Sequence, residues 1–190
     1  MNMTNEQRNE ILKDTVYTAA KIWFGLTEAA VEDNVKAAVQ SIKDVEINSS
    51  TDMLNLAFKS TEAVHAAWAN RNLYKLASKV NDGLLYQFLP SEFIGFDEFA
   101  KDILFVRPVF KVLFDFDFEV EDLRAKYSDS VASYQIYHNV DFSDRDDLAQ
   151  WLRGPIMKMQ VAPEVYEYLI APGNAFNVAR EVQDLYEEND

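Results

Sequence analysis

The chain has 190 residues, 48% of them hydrophobic, with 13 Phe, 9 Tyr and 3 Trp, a pI near 4.5 and a net charge of −14. That much apolar surface excludes general disorder, and the absence of cysteine excludes disulfides, thiolate nucleophiles and thiolate-held zinc. The acidity disfavours direct contact with a nucleic-acid backbone, whose phosphates call for Lys and Arg.

The charge is uneven. Residues 1–90 carry a net of −2 and residues 91–190 a net of −12. The start, MNMTNEQRNE, has no basic stretch followed by an apolar one, and no apolar run reaches the length of a membrane span. The expectation is therefore a soluble cytoplasmic protein with no membrane partner.

Before Pro90 there is no proline and only Gly25 and Gly83 interrupt the chain, so apolar residues at a 3.6 period read as helices. Thr4 and Gln7 form a capping box ahead of a first helix with Leu12, Val16, Ala19, Ala20 and Trp23 on one stripe, ended by Gly25. Thr27 starts a second helix whose inner face is Val31, Val35, Ala38, Val39 and Ile42. The polar run Asn48-Ser49-Ser50-Thr51 supplies a loop and the next N-cap. A third helix aligns Leu54, Phe58, Thr61, His65 and Trp68, and a fourth carries Leu73, Leu76, Ala77 and Val80.

The pattern then changes. Nine of the 13 phenylalanines lie between Phe88 and Phe118, among Pro90, Gly95 and Pro108. Asp97–Phe105 predicts a short helix that Pro108 ends or bends. Phe114 to Glu121 alternates apolar and acidic residues, the period of a half-buried strand. A helical stretch over 121–127 follows, and Val131–Val140 predicts a second strand from its branched and aromatic content. Ser143 with Asp146 starts a helix through Leu148, Trp151 and Leu152. Two short helices follow Pro163 and Gly173, the last with Val178, Val182 and Leu185. The expected fold class is mainly α (α+β). An N-terminal antiparallel helical bundle spans 1–89, and an acidic, aromatic-rich mixed half with a small β element and short helices spans 90–190. The two can pack as a single domain.

The candidate functional residues are acids and tyrosines. As a strand, residues 114–121 would point Asp115, Asp117, Glu119 and Glu121 to one side, about 6.6–6.8 Å apart, and anchor Phe114, Phe116, Phe118 and Val120 on the other. Such a comb resembles a phosphate backbone in spacing and sign, although a solvated strand face explains the same alternation without any partner. Asp115-Phe-Asp117 is also a weak two-carboxylate motif for a divalent cation. Asp141, Asp144, Asp146 and Asp147 form a second cluster that suits a helix N-terminus. Tyr134 and Tyr137, like Tyr166, Tyr168 and Tyr186, stand among acids, a combination that favours arginine through ion pairs and cation–π contacts.

Other chemistry is missing from the sequence. Glu62 and His65 have the spacing found in carboxylate-bridged di-iron bundles, but the second such motif is lacking, because His138 is preceded at that spacing by Gln135. His65 therefore reads as a core histidine. Neither a nucleophile elbow nor a glycine-rich phosphate loop occurs.

No catalytic residue, metal site or cofactor is expected. The leading expectation is an acidic inhibitor that occludes a basic, nucleic-acid-binding surface of a partner protein. Its physical type is that of viral anti-defence and immunity proteins, by analogy and without sequence resemblance. Asp115, Asp117, Glu119, Glu121, Asp144, Asp146, Asp147, Tyr134 and Tyr137 would form the binding surface. A structural or assembly protein acting as a homo-oligomer is the alternative, and a carboxylate-metal enzyme centred on the comb the third reading.

Overall fold

The structure, a computed structural model, describes residues 3–14, 20–21, 25–75, 85–153, 167 and 173–188. Among them are seven α-helices: α1 (Asn5–Lys13), α2 (Glu28–Ile42), α3 (Met53–Arg71), α4 (Phe96–Phe114), α5 (Arg124–His138), α6 (Arg145–Leu152) and α7 (Asn174–Glu188). The protein is mainly helical, and no strand occurs among the described residues. The chain groups into two compact units, one of residues 1–68 and 98–126, the other of 69–97 and 127–190. The sequence boundary at residue 89 falls inside the second unit.

In the first unit, the expected capping box forms: Thr4 Oγ1 accepts the Gln7 N–H at 3.1 Å and the Gln7 side chain accepts the Thr4 N–H at 2.9 Å. α1 ends at Lys13, and its buried contact is Ile11 rather than Leu12. Val16, Ala19 and Trp23 lie outside the described residues. Gly25 adopts φ +62, a left-handed turn open to glycine at no steric cost, and the Leu26 N–H returns to the Ala20 carbonyl. Thr27 caps α2 through the Ala30 N–H, and Val31, Val35, Ala38 and Ile42 are buried as their spacing predicts. The cap of α3 falls one residue beyond the predicted polar run: Asp52 Oδ1 accepts from the N–H groups of Leu54 and Asn55. Helix pairs are tied by Arg8–Glu32 at 2.6 Å (α1 to α2), Ser41–Ser60 at 2.9 Å (α2 to α3) and the Phe58–Phe99 ring contact at 5.1 Å (α3 to α4).

α4 corrects the expectation that Pro108 ends a short helix, since the helix runs from Phe96 to Phe114 with Pro108 inside it. A proline inside a helix withholds one N–H from the carbonyl four residues back and costs about 3 kcal/mol. Here the surrounding stripe of Phe99, Ile103, Val106, Val109 and Phe110 is fully enclosed. Burial of such side chains yields about 1.5–3 kcal/mol each, so packing decides the outcome.

In the second unit, residues 131–138 of the stretch expected as a strand over 131–140 are the C-terminal half of α5. Tyr127, Val131, Tyr134 and His138 recur at helical spacing on its inner side, and Asn139 closes it at φ +51. The Asn139 N–H bonds to Ile136 O and the Val140 N–H to Gln135 O, the paired bonds of a Schellman ending. Tyr127 donates to Ser91 O at 2.9 Å, Ser130 donates to Glu92 at 2.9 Å, and burial pushes the Tyr127 phenol up. Phe93 is enclosed by Tyr134, Phe142 and Trp151 at ring distances of 5.4, 4.6 and 5.3 Å. α7 packs on α6 through Ala175, Val178, Ala179 and Val182, following Gly173 at φ +85. Residues 76–80 of the expected fourth helix, the helix after Pro163, and Tyr166 and Tyr168 lie outside the described residues, as does the side chain of Tyr186.

Candidate functional site

Residues 115–119 form no regular element and pair with no strand, and 120–123 form a 3-10 turn. The strand expected from the alternation is therefore a strap lying on α4. Asp115 turns the chain at φ +50, and the Phe116 N–H reaches back to Phe110 O at 3.3 Å. Arg107 Nε donates to Phe118 O at 2.7 Å, which holds the strap where a neighbouring strand would. The period of two is real: Phe118 is buried against Phe110 and stacks with Phe116, while Asp115, Asp117 and Glu119 point outward.

The carboxylates of the strap do not form an open comb. Asp115, 93% exposed in its side chain, pairs with Lys111 at 3.2 Å. Arg107 Nη2 sits 3.1 Å from Glu119 and 4.0 Å from Asp117, and Glu121 pairs with Arg124. Each acid thus has a base from the same chain beside it. The spacing of two such pairs, i,i+4 for Lys111–Asp115 and i,i+3 for Glu121–Arg124, was available in the sequence. Arg107 was not, because its partners lie ten and twelve residues ahead across a turn.

The second cluster is built differently. Asp144 is the N-cap of α6, accepting the N–H groups of Asp146 and Asp147 at 3.0 Å each. Sequence reasoning placed this start one residue early, at Ser143. Asp147 accepts the Asp141 N–H at 2.8 Å, and Asp141 accepts both the N–H and the hydroxyl of Ser143 at 2.8 and 2.6 Å. Those bonds hold the Asp141 carboxyl below the usual carboxylate range. Among the described residues no lysine or arginine lies within ion-pair distance of Asp141, Asp144, Asp146 or Asp147. The one base within the turn, Arg145, is directed away: its Nε donates to Gln183 at 2.8 Å and its guanidinium lies over the Phe176 ring at 5.6 Å. Gln135 and Gln183 fix the turn, accepting the Phe142 N–H at 3.0 Å and donating to Ser143 O at 2.7 Å.

The two tyrosines separate. Tyr134 is part of the aromatic cluster around Phe93, 4.2 Å from the His138 ring and 5.7 Å from Trp151. Tyr137 is 84% exposed, and its neighbour Ile136 is 82% exposed. Ile136 escaped the sequence reading, since an apolar residue inside a supposed strand is assigned to a core.

His65 is buried, as expected of a core histidine, and its Nδ1 lies 3.4 Å from Asp102 Oδ2, with the ring stacked on Trp68. Burial raises the Asp102 carboxyl above its ordinary range despite His65 beside it. Among the described residues no three of His, Asp and Glu gather as a metal-ligand set, and no helix is long and apolar enough to cross a membrane. No protein-family model, curated protein or solved structure matches the chain.

Proposed function

We propose that this chain is an acidic interaction protein that acts by binding rather than by catalysis, occluding a basic, nucleic-acid-binding surface of another protein. The observation that carries the reading is the juxtaposition at the end of α5. Two large apolar side chains, Ile136 and Tyr137, are more than four-fifths exposed. They are followed within ten residues by four aspartates that no lysine or arginine among the described residues approaches to ion-pair distance. Charge of one sign speeds encounter with an oppositely charged partner, and a desolvated aromatic residue then provides lasting contact. The strap is an auxiliary surface in this reading. Its ion pairs are exposed, and exposed pairs are worth about 0–1 kcal/mol each, so a partner's arginines exchange readily with Lys111 and Arg107.

Affinity purification of the tagged chain from its source lysate at low salt, eluted with a salt gradient, tests the proposal. A stoichiometric basic protein released by salt, whose nucleic-acid binding is competitively inhibited by added chain, supports it. Recovery of the chain alone or only with itself overturns it and favours the assembly reading.

A further inference from the structure

On that reading, we infer that the outer face of α5 from Ser128 to Tyr137 is the seat for an arginine-bearing amphipathic helix of the basic partner. The exposed residues on this face are Ser128, Asp129, Ala132, Ser133, Ile136 and Tyr137, which recur at the three- and four-residue spacing of one helical surface. Nine residues of rise make a seat of about 14 Å. Its middle, Ala132 and Ser133, is small and uncharged, so a second helix axis can approach closely. One end presents Ile136 and Tyr137, the only anchors on the face large enough to fill a pocket or meet a guanidinium.

The charges say what covers it. Asp129 stands at one end, and Asp141, Asp144 and Asp146 are exposed beyond the other. None of the four is ion-paired by a described base. The cations of α5 itself are engaged elsewhere, Arg124 with Glu121 and Lys126 with Asp52 and Asn55. A second copy of the chain would set these acids against their equivalents, and like charges across an interface cost several kcal/mol. A helix with bases at two ends of an apolar stripe, one of its arginines stacked on Tyr137, complements both the acids and the anchors of the face. Arginine is favoured over lysine there because its planar cation stacks on the phenol ring while still bonding a carboxylate.

The probe is a synthetic amphipathic helix of leucine, alanine and arginine, about five turns long, with a matched lysine version, titrated into the full chain by NMR and calorimetry. The expected result is resonance shifts over Ser128–Tyr137 and Asp141–Asp146. Tyr137→Ala should weaken binding about tenfold or more, as loss of a cation–π anchor implies, and the lysine peptide should bind several-fold more weakly. Asp44→Asn/Glu46→Gln, at exposed acids outside both acidic surfaces, should bind as the parent does. Both substituted sites are exposed, and an unchanged melting temperature shows that the variants fold.

Failure of the peptide to bind, shifts confined to the strap, or equal binding by Tyr137→Ala and Ile136→Ala would each overturn the inference. So would a sedimenting dimer that Tyr137→Ala dissociates. A basic partner captured equally by the parent chain and Tyr137→Ala would refute this seat while leaving the proposed function standing.

Discussion

The strap over residues 115–121 and the turn over 141–147 are both acidic, both anchored by a buried phenylalanine, and opposite in what they do with their charge. In the strap, side-chain cations from α4 and α5 meet Asp115, Asp117, Glu119 and Glu121. In the turn, backbone N–H groups and a serine hydroxyl meet Asp141, Asp144 and Asp147. A hydrogen bond from a neutral donor satisfies a carboxylate without removing its charge from the surface. Of the two segments, the strap has the more regular pattern in sequence, yet it is the turn whose aspartates have no lysine or arginine among the described residues within ion-pair distance. Regular spacing of acids is therefore a poorer guide to an electrostatic surface than the whereabouts of the bases.

The comparison breaks first at its anchors. Phe118→Ala and Phe142→Ala should each lower stability by about 3–5 kcal/mol, measured by denaturant unfolding, since Phe118 meets Phe110 and Phe142 meets Phe93 at 4.6 Å. A cost below about 1 kcal/mol for either would show that its segment is draped rather than anchored. The next largest effect belongs to Arg107. Arg107→Ala removes the bond to Phe118 O as well as the pairing with Glu119, and a loss of about 1–2 kcal/mol is expected. Asp115→Asn and Glu119→Gln should each cost less than about 1 kcal/mol and lose their effect in high salt. In the turn the corresponding change is Asp144→Ala, which takes the cap from α6 at about 1 kcal/mol, whereas Asp144→Asn keeps most of it. If Asp144→Asn proved as costly as Asp144→Ala, charge rather than the hydrogen bond would hold the turn.

Much of the helical framework was legible in the residues. Thr4 and Thr27 mark boundaries through chemistry that acts within four residues, whereas α1 ends at Lys13 rather than running to Gly25, and the stripes of α2 and α7 follow from a single period. The misreadings share a cause, for each depended on what lay across from the segment. Period two at 114–121 falls across the end of α4, the strap over 115–119 and a 3-10 turn, and the Arg107 bond to Phe118 O ties the strap to α4 rather than to a strand. Residues 131–138 carry β-branched and aromatic residues at positions that also satisfy a helical stripe, and Asn139 in the left-handed conformation ends the helix there. Pro108 was overruled by the packing of its neighbours. Of the candidate site, the acids are legible as residues, but which of them stand beside a base of the same chain depends on pairings that form only on folding.

The smallest effect separates the two segments most cleanly because it is read by pH. The Asp141 carboxyl is held below its ordinary value by the Ser143 hydroxyl and N–H. The folded state therefore binds fewer protons than the unfolded one as the pH falls toward the lowered value. The resulting stability is present in full above the ordinary carboxylate pKa near 4 and disappears as the pH drops through the folded one. Asp141 is exposed, so solvent keeps the contribution small, a fraction of what a buried carboxylate would give. Ser143→Ala should shrink this acid-side loss and leave the profile above neutral pH unchanged. Because the bonds are short and local, the difference should survive high salt, where the strap's ion pairs fade. An acid-side loss that salt abolishes would mean that the turn, too, is governed by distant charges, and the contrast between the segments would collapse.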